Sequence, residues 1–350
     1  MASAFDKLAS IQVVSFQDTA QKDYARLQSY INASSYSMLQ TLHACPRKFQ
    51  LIKAAALRGE GGRQNVDFAY GHAVGSGIQA YLMTGSMEAA LLNAFMAWRI
   101  PFEAAIPKKN KTIWDTWVAV ESFASFYHLA MGDWEVFITP EGKPAVELAI
   151  EIDFENGYKH YLHIDVILKN KLTGQLAICE NKTHGFTEAE PAIYANSDQA
   201  LGYSLAIDMF QADTSFQVFY LCYSAPQRKW QLLPFTKSTS MKAEWLATIQ
   251  LDHAAIQTYR EMHFFPKRGD NCYQFMRTCE FFGSCNATKS LNEEKILPAD
   301  MSAEEVDYSF KLSDLLAVQK GRLTNQQGVS SGHEDIVDPE FTNIDITPID

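Results

Sequence analysis

The chain has 350 residues, of which 47% are hydrophobic and 20% charged, with a formal net charge of −11 at pH 7. That length accommodates one large domain with appendages, and the composition excludes fibrous, collagen-like and wholly disordered classes. No run approaches the roughly 20 apolar residues of a membrane span, and Met1–Ala2–Ser3–Ala4–Phe5–Asp6–Lys7 lacks the pattern of a secretory signal, so a cytoplasmic protein without membrane association is expected. Six cysteines over this length do not suggest a disulfide scaffold. The acidity is uneven: from Asn286 onward there are 13 acidic and 5 basic residues, about −8, which leaves about −3 for everything before it. A locally basic groove for nucleic acid is therefore compatible with the net charge, whereas tight non-specific DNA binding at physiological salt is not expected.

Residues 1–33 read as a mixed, moderately polar arm. Ser37–Met38–Leu39–Gln40 has the S-x-x-Q form of a capping box and predicts one helix running to Leu57, ended by Gly59–Glu60–Gly61–Gly62. Helices follow over about Asp67–Thr84, Ser86–Arg99 and Thr112–Gly132, where apolar residues recur at spacings of three and four. The period then becomes two. Trp134–Thr139, Ala145–Phe154, His160–Leu168 and Leu176–Lys182 read as successive strands bounded by Gly142, Gly157 and Gly174. Pro191–Phe210 returns to helix, Phe216–Tyr223 is a buried strand, Trp230–Phe235 an edge strand and Met241–His263 a further helix. The fold class expected is α/β, with a mixed central sheet flanked by helices, an N-terminal helical region and a C-terminal cysteine segment. The main domain is bounded at 34–288. Residues 289–350 read as an acidic, partly disordered tail in which Ser302–Glu305 caps one short helix and Leu312–Leu323 forms another.

Within that frame the chemistry concentrates on two adjoining strands. Tyr161–Leu168 contains Asp165, and Gln175–Lys182 ends on Glu180–Asn181–Lys182, with the polar turn Lys169–Gly174 between them. Strand alternation places Glu180 and Lys182 on one face, and a hairpin brings Asp165 across from them. Two carboxylates suit a hard divalent cation such as Mg²⁺ or Mn²⁺, and a lysine beside it can orient water or steady a phosphate charge. Taken alone, an E-x-K pair on a strand is very common and is seldom catalytic. His72 alone reads as a packed or surface histidine, and Gln199 with Tyr203 as a helix face.

Four stretches taken in order resemble the PD-(D/E)XK nucleases, specifically their RecB-like branch, over roughly residues 35–288. Ser35–Tyr36–Ser37–Met38–Leu39 with Cys45–Pro46–Arg47–Lys48–Phe49 is similar to the family's opening helix. Gly71–His72–Ala73–Val74–Gly75 resembles the helix whose histidine joins the metal, Asp165, Glu180 and Lys182 the D…E-x-K core, and Gln199–Ala200–Leu201–Gly202–Tyr203 the Q-x-x-x-Y helix along the DNA path. The resemblance implies a restriction-endonuclease-like core and Mg²⁺- or Mn²⁺-dependent hydrolysis of DNA, with an exonuclease of phage or mobile-element recombination or replication as the expected role. It implies His72, Asp165, Glu180 and the Asn181 carbonyl as metal ligands, Lys182 as the group acting on water, and Gln199, Tyr203, Arg47 and Lys48 along the DNA. A catalytically silent DNA-binding or scaffold subunit is the alternative. No phosphate-binding P-loop is present, so a helicase, single-strand-binding or replication protein is the partner expected, through the acidic tail, and the bacterial host cytoplasm is the place.

Cys272, Cys279 and Cys285 fall in one segment at gaps wider than the close pairs of most zinc sites. With Cys45 they resemble the four ligands of the 4Fe–4S cluster in the iron–sulfur members of the RecB-like branch. A zinc ion in the same place, or four partly buried free thiols, are the other readings. Cys179 and Cys222 lie in apolar strands and read as core.

Overall fold

Between Ala130 and Trp134 the hydrophobic period shortens from that of a helix to that of a strand, and there the chain passes from a helical layer into a sheet. The computed structural model describes residues 33–57, 66–98, 110–155, 157–211, 216–262, 264–274, 277–287 and 306–329. The expected arm, the Gly59–Gly62 stop, Ser302–Glu305 and the end of the tail lie outside the described residues.

A three-residue strand, β1 (Ala33–Ser35), leads into α1 (Tyr36–Ala44) and α2 (Pro46–Leu57). This differs from the single helix expected from Ser37. Ser35 is the N-cap, and the helix breaks at Cys45, which is extended at φ −160°, ψ 103°. The cause is Pro46, whose ring excludes the preceding residue from the helical region while suiting the first position of the next helix. The helices α3 (Val66–Thr84), α4 (Met87–Ala97) and α5 (Ile113–Ala130) follow. Ser86 caps α4 by accepting the Ala89 N–H at 3.2 Å, and Thr112 with Asp115 closes a reciprocal capping box on α5.

The strands are β2 (Trp134–Val136), β3 (Val146–Asp153), β4 (Lys159–Asn170) and β5 (Leu176–His184), then β6 (Phe216–Ser224) and β7 (Lys229–Lys237). Between β5 and β6 lie α6 (Pro191–Ala195) and α7 (Asp198–Asp208), two helices where one was expected. Asn196 and Ser197 make the break, both being residues whose short polar side chains compete with the helical backbone. The helix α8 (Thr239–Glu261) follows β7. A two-stranded hairpin, β8 (Tyr273–Gln274) and β9 (Arg277–Thr278), then precedes α9 (Phe282–Ala287). Inside the expected tail, β10 (Tyr308–Lys311) and α10 (Leu312–Val329) join the main body.

The sheet runs β10-β3-β4-β5-β6-β7, with β1 and β2 also on β4. It is mixed: β3, β4 and β5 are antiparallel, β5–β6 and β10–β3 parallel, and β6–β7 antiparallel. One face packs Val166, Leu168, Cys179 and Leu221 against Tyr70, Val74 and Ile78 of α3 and Val120 and Phe123 of α5. The other packs Leu162, Ile164, Ile178 and Val218 against Leu201 and Leu205 of α7, Trp245 and Ile249 of α8, and Leu315 of α10. Helices α3 and α7 therefore both sit on β5, from opposite faces.

Near the far end of α7 lies a buried ion pair. Lys242 Nζ donates to both oxygens of Asp208 at 2.9 Å, with side-chain exposures of 0% and 1%. Gln319 of α10 donates to Asp208 Oδ2 at 2.6 Å. Removing one partner leaves a buried charge uncompensated, so Lys242→Met should cost about 3–5 kcal/mol of unfolding free energy. Denaturant titration of wild type and variant checks this.

Candidate active site

Ladder pairing of β4 with β5 runs only as far as Val166 and Cys179. One step further the same register would set Asp165 opposite Glu180, but the strands part there. The Asn181 backbone N–H donates instead to Asp165 Oδ2 at 2.8 Å. On the other side of β4, pairing with β3 skips the step between Val146–Val166 and Leu148–Ile164. That step belongs to Glu147, a non-glycine residue at φ +51°. Such a left-handed backbone is costly for an L residue and re-aims the side chain, whose carboxylate accepts a hydrogen bond from Gln79 Nε2 of α3. Interruption of neighbouring strands at one level thus sets three acids, Glu147, Asp165 and Glu180, close together inside the protein.

The lysine completes the group. Lys182 Nζ donates to Glu180 Oε1 at 2.7 Å and to Gln199 Oε1 at 3.0 Å, while Gln199 Nε2 donates to Glu180 Oε1 at 2.9 Å and to the Tyr203 hydroxyl at 2.7 Å. One residue of α7 therefore bridges the acid and the base of the E-x-K pair. Tyr203, four residues on and 4% exposed, stands behind Gln199. The Lys182 side chain is one-third exposed, so the group opens to solvent on the lysine side.

Its electrostatics follow from three neighbouring carboxylates, of which Glu180 and Asp165 face one ammonium. Burial, then the neighbouring Glu180 and Glu147, holds the Asp165 carboxyl well above the usual carboxylate range. Burial pushes Glu147 up to about 7, against the lowering effect of the Gln79 hydrogen bond. Burial alone would lower Lys182, but Glu180 and Asp165 outweigh it and raise its pKa, so it stays charged.

Two features of the structure fit a cation. Glu180 Oε2 and both side-chain polar atoms of Asn181 are buried without a hydrogen-bond partner, which is costly for such groups. The excess of negative charge is the second. Among the described residues no three carboxylate, imidazole or thiol groups are already placed to hold a single metal ion. Glu180 Oε1 is taken by Lys182 and Gln199, and Asp165 Oδ2 by the Asn181 amide. His72 lies on α3 beside Gly71, where the helix comes so near β5 that a Cβ on Gly71 would sit 3.1 Å from Thr183 Oγ1. It is seven residues before Gln79, so two helical turns separate it, on one face, from the residue that reaches Glu147.

The remaining expected residues form a second centre. Cys45, Cys272, Cys279 and Cys285 line one cavity of about 30 Å³, together with Lys48, Lys267 and Arg268. The α1–α2 break is what turns Cys45 towards it. Asn271 Nδ2 donates to the Ala44 carbonyl, and the Arg47 N–H donates to the Pro266 carbonyl at 3.2 Å, holding the cysteine segment on that break. Lys48, expected along the DNA, lies on this cavity and pairs with Glu280 at 3.5 Å. Arg47 is buried, with Nη1 donating to Gln50 Oε1. The structure does not bring these two cations to the acids. Cys179 and Cys222 are buried core residues.

Glu147 and Gln79 are the members of the acid group that sequence reasoning misses. The raised pKa of Glu147 means that the folded protein binds a proton the unfolded chain releases. Its stabilising effect is complete below about 4.5 and is lost as pH rises through about 7. Without divalent ions, stability should fall across that window by up to about 3 kcal/mol. Glu147→Gln should flatten the fall, as measured by chemical denaturation in EDTA at a series of pH values.

The family model of the PD-(D/E)XK nuclease superfamily matches residues 33–286, which contain both centres. No curated protein matches the chain. Fourteen chains of solved structures match. One is a "Putative exonuclease" from Eubacterium rectale, 12% identical with a TM-score of 0.47, covering 82% of this chain and 97% of that one. Another is SSO0001, 15% identical with a TM-score of 0.23, covering 59% of this chain and 85% of that one. The mixed sheet, the helices on both its faces and a family match over well over half of the sequence lead to one conclusion: the chain belongs to the PD-(D/E)XK nuclease superfamily.

Proposed function

We propose that the chain is a divalent-metal-dependent DNA nuclease of the RecB-like branch, acting as an exonuclease. One observation carries this reading: Glu180, Lys182 and Gln199 form a closed hydrogen-bonded group beside Asp165, at a level where the sheet has opened and left polar atoms without partners. Asp165, Glu180, the Asn181 carbonyl and His72 would hold Mg²⁺ or Mn²⁺, with Glu147 as a further carboxylate. Hard oxygen donors are the set such ions accept. The bound ion supplies activation of water and neutralisation of the scissile phosphate charge.

The protein's own residues then have distinct tasks. Lys182 is kept charged by Glu180 and Asp165, so it donates hydrogen bonds to the attacking water or to a phosphate oxygen, and its role is positioning and charge stabilisation. Gln199 fixes both the ammonium and one Glu180 oxygen, so Oε2 of that carboxylate, which has no hydrogen-bond partner, would be the atom to meet an ion. Tyr203 holds the Gln199 amide from behind, and Asn181 N–H fixes Asp165. A silent scaffold has no use for this arrangement, since each buried acid there costs stability.

We assign the four-cysteine cavity to a 4Fe–4S cluster with a structural role. Four thiolates spread around a cavity suit a cluster, whereas a zinc ion draws all of its ligands to about 2.3 Å from one point. Lys48, Lys267 and Arg268, which line the same cavity, would offset the thiolate charge of a bound cluster. Action in phage or mobile-element recombination or replication, in a bacterial cytoplasm and beside a helicase or single-strand-binding partner, completes the proposal.

Lys182→Ala should reduce Mn²⁺-dependent degradation of linear DNA at least about 100-fold while its circular dichroism spectrum stays that of the folded protein. Retained turnover would remove Lys182 from the mechanism. For the second centre, anaerobic purification should give a brown protein with about four irons per chain, and Cys279→Ser should lose them. Colourless, iron-free wild type prepared anaerobically from iron-replete cells would exclude the cluster.

A further inference from the structure

Beyond the acids, β5 continues outward. Alternation puts Glu180, Lys182 and His184 on one face of the strand, and exposure rises along it from the buried Glu180 to the partly open lysine. Just past the strand end, Phe186 is 70% exposed. Its backbone is nonetheless fixed. The Phe186 carbonyl accepts hydrogen bonds from His184 Nδ1 at 3.1 Å and from Ser224 Oγ at 2.6 Å. Ser224 is the partner of His184 across the β5–β6 ladder, so both strands hold the turn. The rings of His184 and Phe186 are near parallel, with centroids 6.2 Å apart and planes inclined by 26°. Because a carbonyl only accepts, Nδ1 carries the imidazole proton. Burial and the nearby Lys111 ammonium lower the pKa of His184, which keeps the ring uncharged at neutral pH.

The surroundings discriminate between ligands. The loop after Phe186 carries Glu188 and Glu190, both exposed, and Glu190 also accepts the Ala192 N–H at the start of α6. Carboxylates on this side repel a phosphate and leave the aromatic surface for a neutral, flat π system. Two strand steps take the chain from Lys182 to His184, about 7 Å, comparable to one nucleotide of an extended strand. A nucleobase has that flat face only when unpaired and unstacked, since a base within a duplex shows its edges.

We propose that His184 and Phe186 form a stacking platform for one unpaired nucleobase adjoining the scissile phosphate, so that the strand is accepted single-stranded at the point of cleavage. This rests on the nuclease reading given above. Stacking tolerates any base, so the platform selects unpaired over paired DNA and imposes no sequence.

The test uses the full-length protein in EDTA, where no cleavage occurs, and a short oligonucleotide ending in 2-aminopurine, whose fluorescence falls when the base stacks. Phe186→Ala should weaken single-strand binding about tenfold, a loss within the range expected for one stacked base, and reduce the quenching. Binding of blunt duplex should stay unchanged, and Phe186→Trp should restore both signals. With Mn²⁺ added, Phe186→Ala should slow cleavage of single-stranded DNA yet leave hydrolysis of methyl p-nitrophenyl phosphate, which has no base, at the wild-type rate. Equal single-strand affinities for wild type and Phe186→Ala would overturn the platform, as would an equal loss on single strand and duplex. Should wild type cleave nothing with either metal while Phe186→Ala still loses single-strand affinity, the nuclease reading fails and the platform stands as a binding site.

Discussion

Three neighbouring carboxylates, two of them beside one ammonium, constrain the rest of this molecule. Like charges inside a protein raise one another's pKa, and each must be discharged by a proton, a cation or a fixed hydrogen-bond donor. The Asn181 amide serves Asp165, Gln79 serves Glu147, and Lys182 with Gln199 serves Glu180. Those four donors come from a strand end and from helices on opposite faces of the sheet. The sheet must therefore open at one level, and α3 and α7 must both press on β5. An unbroken ladder through Glu147, Asp165 and Glu180 would leave less backbone to satisfy them.

The distribution of positive charge follows the same logic. Cations that could have met DNA from α2 are spent elsewhere, Arg47 inside the protein and Lys48 against the cysteine cavity. At the acid site only Lys182 offers an accessible ammonium among the groups described there. A chain with a net charge of −11 then has few means of holding nucleic acid by phosphate attraction alone, so ring contacts and bound ions gain weight.

Much of this is legible in the residues. The alternation through Asp165 and Glu180–Lys182 identifies two adjoining strands, and the four-residue spacing of Gln199 and Tyr203 gives one helix face. Cys45, Cys272, Cys279 and Cys285 read as a set, and they do share a cavity. Glu147 is hidden because Val146–Asp153 alternates cleanly, placing it with Glu151 and Asp153 on what reads as a solvated face. Its left-handed backbone leaves no mark in the sequence. The break at Cys45 is signalled by Pro46, yet the capping-box pattern at Ser37 points the other way, and the steric rule wins. Tyr203 and Arg47 show the opposite difficulty. Their types suggest contact with DNA, but only packing decides that each is buried. The strand β10 spans four residues, too few for a periodic signal to stand out.

The pairing of β10 with β3 joins residues 308–311 to residues 150–153. Asp307 strengthens the junction by accepting the Ala149 N–H and returning its own N–H to the Ala149 carbonyl. During synthesis β3 thus waits with an uncovered margin while more than a hundred further residues leave the ribosome. Final consolidation of α7, which Gln319 grips through Asp208, waits as long.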